Sequence, residues 1–204
     1  MIKNVIFDLG GVLIDFNPWA RINQLDLNMN KKNELYQAIF KDQIWQDLDR
    51  GIYETFDDAV KAYLRKYPNM KKEIEMFFDG YWQIIFKPLE NNLKLLEQVQ
   101  KRRYKTYILS NYSKEGFIYT KEKYPFLKSF DGEVVSAFVK MMKPEKQIYD
   151  YLLQKYNLTA QECIFLDDLE ENVLAASKIG INGVCFKDIN SALEKINTII
   201  EKER

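Results

Sequence analysis

Asp8 closes the apolar run Asn4-Val5-Ile6-Phe7 and is followed by Leu9-Gly10-Gly11-Val12-Leu13, so a hydrophobic strand delivers one carboxylate to a flexible glycine turn. In open parallel sheets ligands gather outside the carboxyl ends of the strands, and an acid placed there meets substrate although its strand is buried. Asp8 is therefore the first candidate for chemistry; the alternative is that it caps the following helix or opens a turn. Three later segments have the same form. Tyr107-Ile108-Leu109 ends in Ser110-Asn111, whose hydroxyl can donate to an anion. Lys143-Pro144 sets one cation ahead of a helical pattern whose N-terminus also attracts negative charge. Phe165-Leu166 ends in Asp167-Asp168, with Asn172 four residues beyond the second acid. Hard oxygen ligands of this kind suit Mg²⁺, which keeps several waters and is commonly shared between one or two carboxylates and a substrate phosphate.

Composition narrows the chemistry further. The chain of 204 residues contains no histidine, which removes Ser-His and Cys-His catalysis and every His-based metal site. Lys plus Arg and Asp plus Glu are both 30, so the balance implies no broad basic face for nucleic acid. The local cluster Lys101-Arg102-Arg103-Tyr104-Lys105 lies between a helical pattern and a strand, where a cationic helix end is expected. Cys163 and Cys185 fall inside apolar runs; two cysteines make neither a disulfide framework nor a zinc site, and both are expected to be small buried hydrophobes. Met1-Ile2-Lys3 leads directly into the first strand without a secretory signal, and no apolar stretch approaches the roughly 18 residues of a membrane span. A cytoplasmic protein with no nucleic-acid or membrane partner is expected.

The elements that position these residues follow from the periodicity. Short apolar runs at 5–7, 106–109, 163–166 and 184–186 read as buried parallel strands. Leu93, Leu96 and Val99 mark a helix over 89–101, and Ile148, Tyr151, Leu152 and Tyr156 one over 144–156 with Pro144 in its first turn. Thr159-Ala160-Gln161-Glu162 has capping-box spacing, and 172–179 reads as a helix stopped by Gly180. Alternating strands and helices predict an α/β sheet. About a hundred residues separate the first two strands, far beyond what a parallel crossover needs. Residues 15–87, rich in aromatics and charge, with helical patterns at 31–40, 56–67 and 71–85 and no convincing strand, are expected to be an inserted helical cap; a purely structural helical extension is the alternative.

In their order and spacing, the four segments resemble the haloacid dehalogenase superfamily, specifically its Mg²⁺-dependent phosphatases with a helical cap after the first motif. The motifs are Phe7-Asp8-Leu9-Gly10-Gly11-Val12-Leu13, Leu109-Ser110-Asn111, Lys143-Pro144-Glu145 with Ile148-Tyr149, and Phe165-Leu166-Asp167-Asp168 with Asn172-Val173 and Ala175-Ala176. Within the superfamily the chain is most similar to the glucose-1-phosphate phosphatase type and the phosphatase domain of soluble epoxide hydrolases, partly through Asp49-Arg50-Gly51. The resemblance implies a three-layer Rossmann-like core over 1–14 and 88–204 beneath a cap over 15–87. It implies a monomer or weak homodimer acting on a small phosphate ester, a sugar phosphate in the similar subgroup. Asp8 would form an aspartyl-phosphate. Mg²⁺ would be held by Asp8, the Gly10 carbonyl and Asp168, with Asp167 direct or through water. Ser110 and the backbone at Asn111 would hold phosphate oxygens, Lys143 would neutralise charge and orient Asp8, and Asn172 would brace the acid pair.

Gly10 departs from the pattern. Most phosphatases of the superfamily have an acid there that protonates the leaving oxygen, help typically worth about 10²- to 10⁴-fold. Either better leaving groups such as an anomeric or acyl oxygen are favoured, or Asp15 or a cap residue takes over. Lys140 is a smaller departure, where related sequences often have glycine. Two rivals remain: a catalytically weak phosphate-binding regulator, favoured by Gly10, and a 2-haloacid dehalogenase, disfavoured by Asp167-Asp168 because carbon-halogen displacement has no use for a magnesium site. Trp19, Arg21, Trp45, Asp49, Arg50 and Tyr53 are the cap side chains available to face the site, with Arg50 preferred because a guanidinium can bind phosphate or sugar hydroxyls.

Overall fold

The structure, a computed structural model, describes residues 1–80 and 82–201. The strand β1 (Asn4–Phe7) is buried along its whole length because it runs through the middle of a five-stranded parallel sheet. Its neighbours are β4 (Lys105–Ser110) and β6 (Cys163–Asp167), flanked by β5 (Gly132–Val135) and β7 (Asn182–Cys185), in the order β5-β4-β1-β6-β7. Successive strand residues face opposite sides of a sheet. Val5 and Phe7 join one core with Leu95, Leu96, Ala192 and Ile196, while Ile6 joins the other with Ile148, Leu152 and Ala176. The first group belongs to helices α6 (Glu90–Lys101) and α11 (Ile189–Glu201), the second to α9 (Lys146–Lys155) and α10 (Glu170–Lys178). The expected three-layer α/β core is present.

Between β2 (Ile14–Phe16) and β3 (Phe86–Pro88) run α1 (Pro18–Ile22), α2 (Met29–Phe40), α3 (Gln43–Arg50), α4 (Phe56–Lys66) and α5 (Lys71–Phe78). Four of them begin on a residue that suits an N-cap: the side chains of Asn17, Asn28, Asp42 and Thr55 accept from backbone N–H groups of the first turns of α1 to α4. An aromatic file through Phe40, Trp45, Phe56, Phe77 and Phe78 fills the insertion. After β4 come α7 (Lys114–Lys123) and, following β5, α8 (Ser136–Val139).

Several expectations need correction. The insertion is not free of strands, since β2 and β3 pair antiparallel at its neck, Asp15 opposite Lys87. The helix expected over 71–85 ends at Phe78 before Gly80, which has φ +64°; Tyr81 lies outside the described residues, and a 3₁₀ turn follows over Trp82–Ile85. Pro144 precedes α9 rather than sitting in its first turn, Glu145 being the N-cap. Thr159 makes no capping bond with its side chain; Ala160–Glu162 is a 3₁₀ turn. Cys163 is buried, but Cys185 is only half-buried, on the last residue of an outer strand.

Candidate active site

The parallel register aligns Phe7 with Ile108 on one side and Leu166 on the other, so the carboxyl ends of three adjacent strands meet. Asp8, Ser110 and Asp167 come together there, and Lys143 reaches in from the segment before α9. Its ammonium lies 2.9 Å from Asp8 Oδ1 and 2.6 Å from Asp167 Oδ2, with a side chain 1% exposed. Asp8 Oδ1 also accepts from the Ser110 hydroxyl at 2.7 Å and the Leu9 backbone N–H at 2.6 Å. Three donors thus converge on Oδ1, and Oδ2 carries none of these bonds. Burial raises the Asp8 carboxyl above its usual range and Asp167 adds to this, while Lys143 and Ser110 pull it down. Burial works to lower the Lys143 ammonium, but the two carboxylates outweigh it and hold it above its usual range.

Asp167 is held on every side. Besides Lys143 it accepts from Leu169 N–H at 2.9 Å and from the Asn172 amide at 3.0 and 3.1 Å, and Asn172 is itself anchored by the Tyr149 hydroxyl on its carbonyl. The Asn172 Oδ1 atom is buried without a partner. Asp168, the next residue, is exposed, and its carboxyl is raised by partial burial and by Asp167. Gly11 has φ +67°, and a Cβ there would lie 2.4 Å from Asp168 Oδ2, so glycine is required both for the turn and for the approach of this acid. Asp8, Asp167 and Asp168 offer oxygens all within 4.8 Å of one another. One ammonium among three carboxylates leaves negative charge uncompensated, and an all-oxygen donor set suits a hard divalent cation. With both Asp167 oxygens engaged, Asp8 and Asp168 are the better placed direct ligands.

Asn111 braces the lysine. Its amide donates to the Lys143 carbonyl and accepts from the Lys143 N–H, both at 2.9 Å, so its side chain positions Lys143. Lys140 adopts φ +57°, the left-handed conformation that glycine favours, so the loop keeps that turn with lysine in it.

Next to these residues opens a cavity of about 100 Å³, lined by Gly10, Ile14 and Phe16 after β1, by Trp45 and Asp49 of α3, by Phe86, and by Asn111 and Tyr112. Of the cap side chains considered from the sequence, Trp45 and Asp49 reach it. Trp19 stacks on Tyr36, Arg21 is buried with its guanidinium on the carbonyls of Met76 and Phe77, and Tyr53 packs against the core. Arg50, the preferred substrate contact, is instead paired with Glu145 at 2.5 and 3.1 Å, joining α3 to the segment before α9. Both residues stand out in sequence motifs, but their pairing was not legible because they are 95 positions apart. Phe16, Phe86 and Tyr112 were missed: Phe16 ends β2 and Phe86 opens β3, strands too short to show a period, and Tyr112 lies in the loop after β4.

The fold and the acid–lysine cluster at its strand ends define a Rossmann-like α/β hydrolase. The chain belongs to the haloacid dehalogenase-like hydrolases, whose family model matches residues 2–180. The sesquiterpene phosphatase of Aspergillus oryzae is 28% identical over 186 residues, spanning 91% of this chain and 90% of that protein. The D-ribitol-5-phosphate phosphatase of Bacteroides thetaiotaomicron is 21% identical over 191 residues, 88% of this chain and 89% of that protein. A haloacid dehalogenase family enzyme of B. thetaiotaomicron, solved in complex with magnesium and inorganic phosphate, matches with a TM-score of 0.72 at 24% identity, covering 92% of this chain and 95% of that one. It has the same fold. Among the described residues no helix is long and apolar enough to cross a membrane.

Proposed function

We propose that this hydrolase is a Mg²⁺-dependent phosphatase that releases phosphate from a small phosphorylated metabolite, a sugar phosphate, through an aspartyl-phosphate on Asp8. The observation that carries the reading is the convergence of Lys143, Ser110 and Leu9 N–H on one oxygen of Asp8, beside two further acids. With Oδ1 fixed, Oδ2 attacks phosphorus, the ester P–O bond breaks toward the leaving oxygen, and water later cleaves the Asp8–phosphorus bond. The backbone at Asn111 holds phosphate oxygens, Ser110 turns its single O–H from Asp8 to one of them as the ester binds, and Lys143 offsets their charge without leaving Asp8. Mg²⁺, when bound by Asp8, the Gly10 carbonyl and Asp168 with Asp167 behind them, supplies neutralisation between anionic nucleophile and anionic phosphate. Residues 15–87 act as the cap that selects the leaving group over the core formed by 1–14 and 88–204, Arg50 serving to dock it through Glu145.

The acid pair argues against a dehalogenase, and the intact lysine–nucleophile contact against a regulator that only binds phosphate. The aromatic lining of Phe16, Trp45, Phe86 and Tyr112 favours a second reading of the leaving group, as an apolar alcohol, and one relative is a sesquiterpene phosphatase. Phosphate release from a panel of sugar phosphates, prenyl phosphates and p-nitrophenyl phosphate, with Mg²⁺ and with chelator, tests both. Mg²⁺-dependent release is expected with the highest kcat/KM for a sugar phosphate; a prenyl phosphate in first place favours the apolar reading, and no release from any member refutes the phosphatase.

A further inference from the structure

A phosphatase of this design needs a proton for the leaving oxygen, and the position two residues after Asp8 is Gly10. A Cβ built on Gly10 meets nothing within 4 Å, so the space beside it is open toward the cavity. Asp15 does not fill the role: Ile14 and Phe16 line the cavity, and alternation along β2 turns Asp15 to the other face. Tyr112 lines it too, but its hydroxyl is engaged with Thr120 Oγ1 at 2.9 Å. Lys143 is committed to two carboxylates. Among the described lining residues this leaves Asp49.

We propose that Asp49, carried by the inserted helix α3, is the proton donor to the leaving oxygen, doing from above the work of the acid missing at Gly10. The inference rests on the phosphatase reading and adds to it the residue that handles the proton. Asp49 is fixed to the core through its backbone. Its carbonyl accepts from the Ser136 hydroxyl at 2.5 Å, and Ser136 Oγ in turn accepts from Tyr112 N–H at 2.9 Å. The Ser113 N–H and the indole N–H of Trp45 act on its carboxyl as donors that favour the charged form. The next turn is locked as well: Gly51 has φ +79°, and a Cβ there would lie 2.2 Å from the Ala137 carbonyl. A carboxyl on the insertion is thereby held in one place over the strand ends.

Its protonation suits the task. Burial pushes the Asp49 carboxyl up to about 7, the Ser113 and Trp45 donors opposing it, so near neutral pH it is present in both forms. The titratable groups nearest in influence are Tyr112 in the loop after β4 and Tyr63 on α4, both raised above the usual tyrosine range chiefly by burial and neutral at that pH. In the first step Asp8 Oδ2 bonds to phosphorus, the P–O ester bond breaks with its electron pair going to the leaving oxygen, and the Asp49 proton goes to that oxygen. The product is a neutral alcohol and an Asp49 carboxylate. In the second step the carboxylate takes a proton from the water that cleaves the Asp8–phosphorus bond, restoring the acid.

The experiment reads only the first step, by acid-quenched single turnovers with enzyme in excess and Mg²⁺ present, for β-glycerol phosphate and p-nitrophenyl phosphate. The alkoxide of the first needs a proton; p-nitrophenolate leaves without one. In Asp49→Asn, phosphoenzyme formation from β-glycerol phosphate is expected to fall about 10²- to 10⁴-fold, while the p-nitrophenolate burst stays within a few-fold of wild type. Equal losses on both substrates, or none on either, overturn the inference. Gly10→Asp supplies a second route that leaves Asp49 in place. An added acid at position 10 raises the β-glycerol phosphate rate by less than about tenfold if Asp49 already donates, and by about 10²-fold or more if no acid is present, which overturns it. Wild type that is phosphorylated by p-nitrophenyl phosphate alone also overturns the role of Asp49 while leaving the phosphatase standing; wild type phosphorylated by neither removes both.

Discussion

Replacing Lys143 by Met tests whether the buried cation, rather than the fold around it, holds Asp8 and Asp167 together. Met keeps the aliphatic stem that packs near the Phe165 ring, 5.4 Å from the ammonium, and removes only the charge. The ammonium contacts two carboxylates, at 2.9 and 2.6 Å, that are 10% and 0% exposed in their side chains. Breaking one buried pair typically costs about 3–5 kcal/mol because the partner is left uncompensated. Two partners put Lys143→Met at the upper end, about 5 kcal/mol, a large part of the roughly 5–15 kcal/mol that stabilises a domain. Asp167→Asn removes one of the two stranded charges. It also lets the Asn172 amide turn over and offer its unpartnered Oδ1 to the new amide. In that background Lys143→Met should cost about 3 kcal/mol, a coupling of about 2 kcal/mol. Urea denaturation of the four proteins with chelator, so that no cation stands in for lysine, measures it. Additivity within about 0.5 kcal/mol would refute the reasoning.

Gly11→Ala places a methyl against the Asp168 carboxylate and strains a left-handed turn; Mg²⁺ should raise the Tm of wild type, and this shift should shrink or vanish in the variant. Lys140→Gly relieves a left-handed lysine and should stabilise by up to about 1 kcal/mol in denaturant titration, with kcat/KM unchanged. Arg50→Ala removes an ion pair whose side chains are 32% and 40% exposed, so stability should fall by no more than about 1 kcal/mol. A much larger stability loss, or a KM effect with none on stability, would count against a docking role.

The central strands were legible because β1, β4 and β6 are buried on both faces and so read as continuous apolar runs. The strand β5 was not, since Gly132 and Glu133 face partly outward at the edge of the sheet and leave no run to see. The insertion was legible as excess length, but its neck strands are three residues each, too short to show a period. Asp8, Ser110, Lys143 and the acid pair could be picked out because each ends a strand or precedes a helix, so sequence position alone places them at one edge. What could not be read is how they share their bonds: that Asn111 serves the Lys143 backbone and that Asp167 is saturated by Asn172 and Leu169 depends on loops that meet only in three dimensions. The cap was least legible for the same reason. Whether Asp49 or Arg50 faces the cavity is decided by how α3 lies on α8, through Gly51 and Ser136, and neighbouring residues on one helix carry no sign of which it will be.

Phosphorylation of Asp8 is the step on which the proposed phosphatase stands or falls. Wild type and Asp8→Asn, incubated with p-nitrophenyl phosphate and Mg²⁺ and quenched in acid within a turnover, should be analysed by intact and peptide mass spectrometry. One phosphoryl group is expected on wild type, located on Asp8 in the peptide holding Phe7-Asp8-Leu9, lost on incubation at neutral pH, and absent both from Asp8→Asn and from wild type treated with chelator. Phosphate release without a phosphoryl group on Asp8, or undiminished release from folded Asp8→Asn, would contradict it.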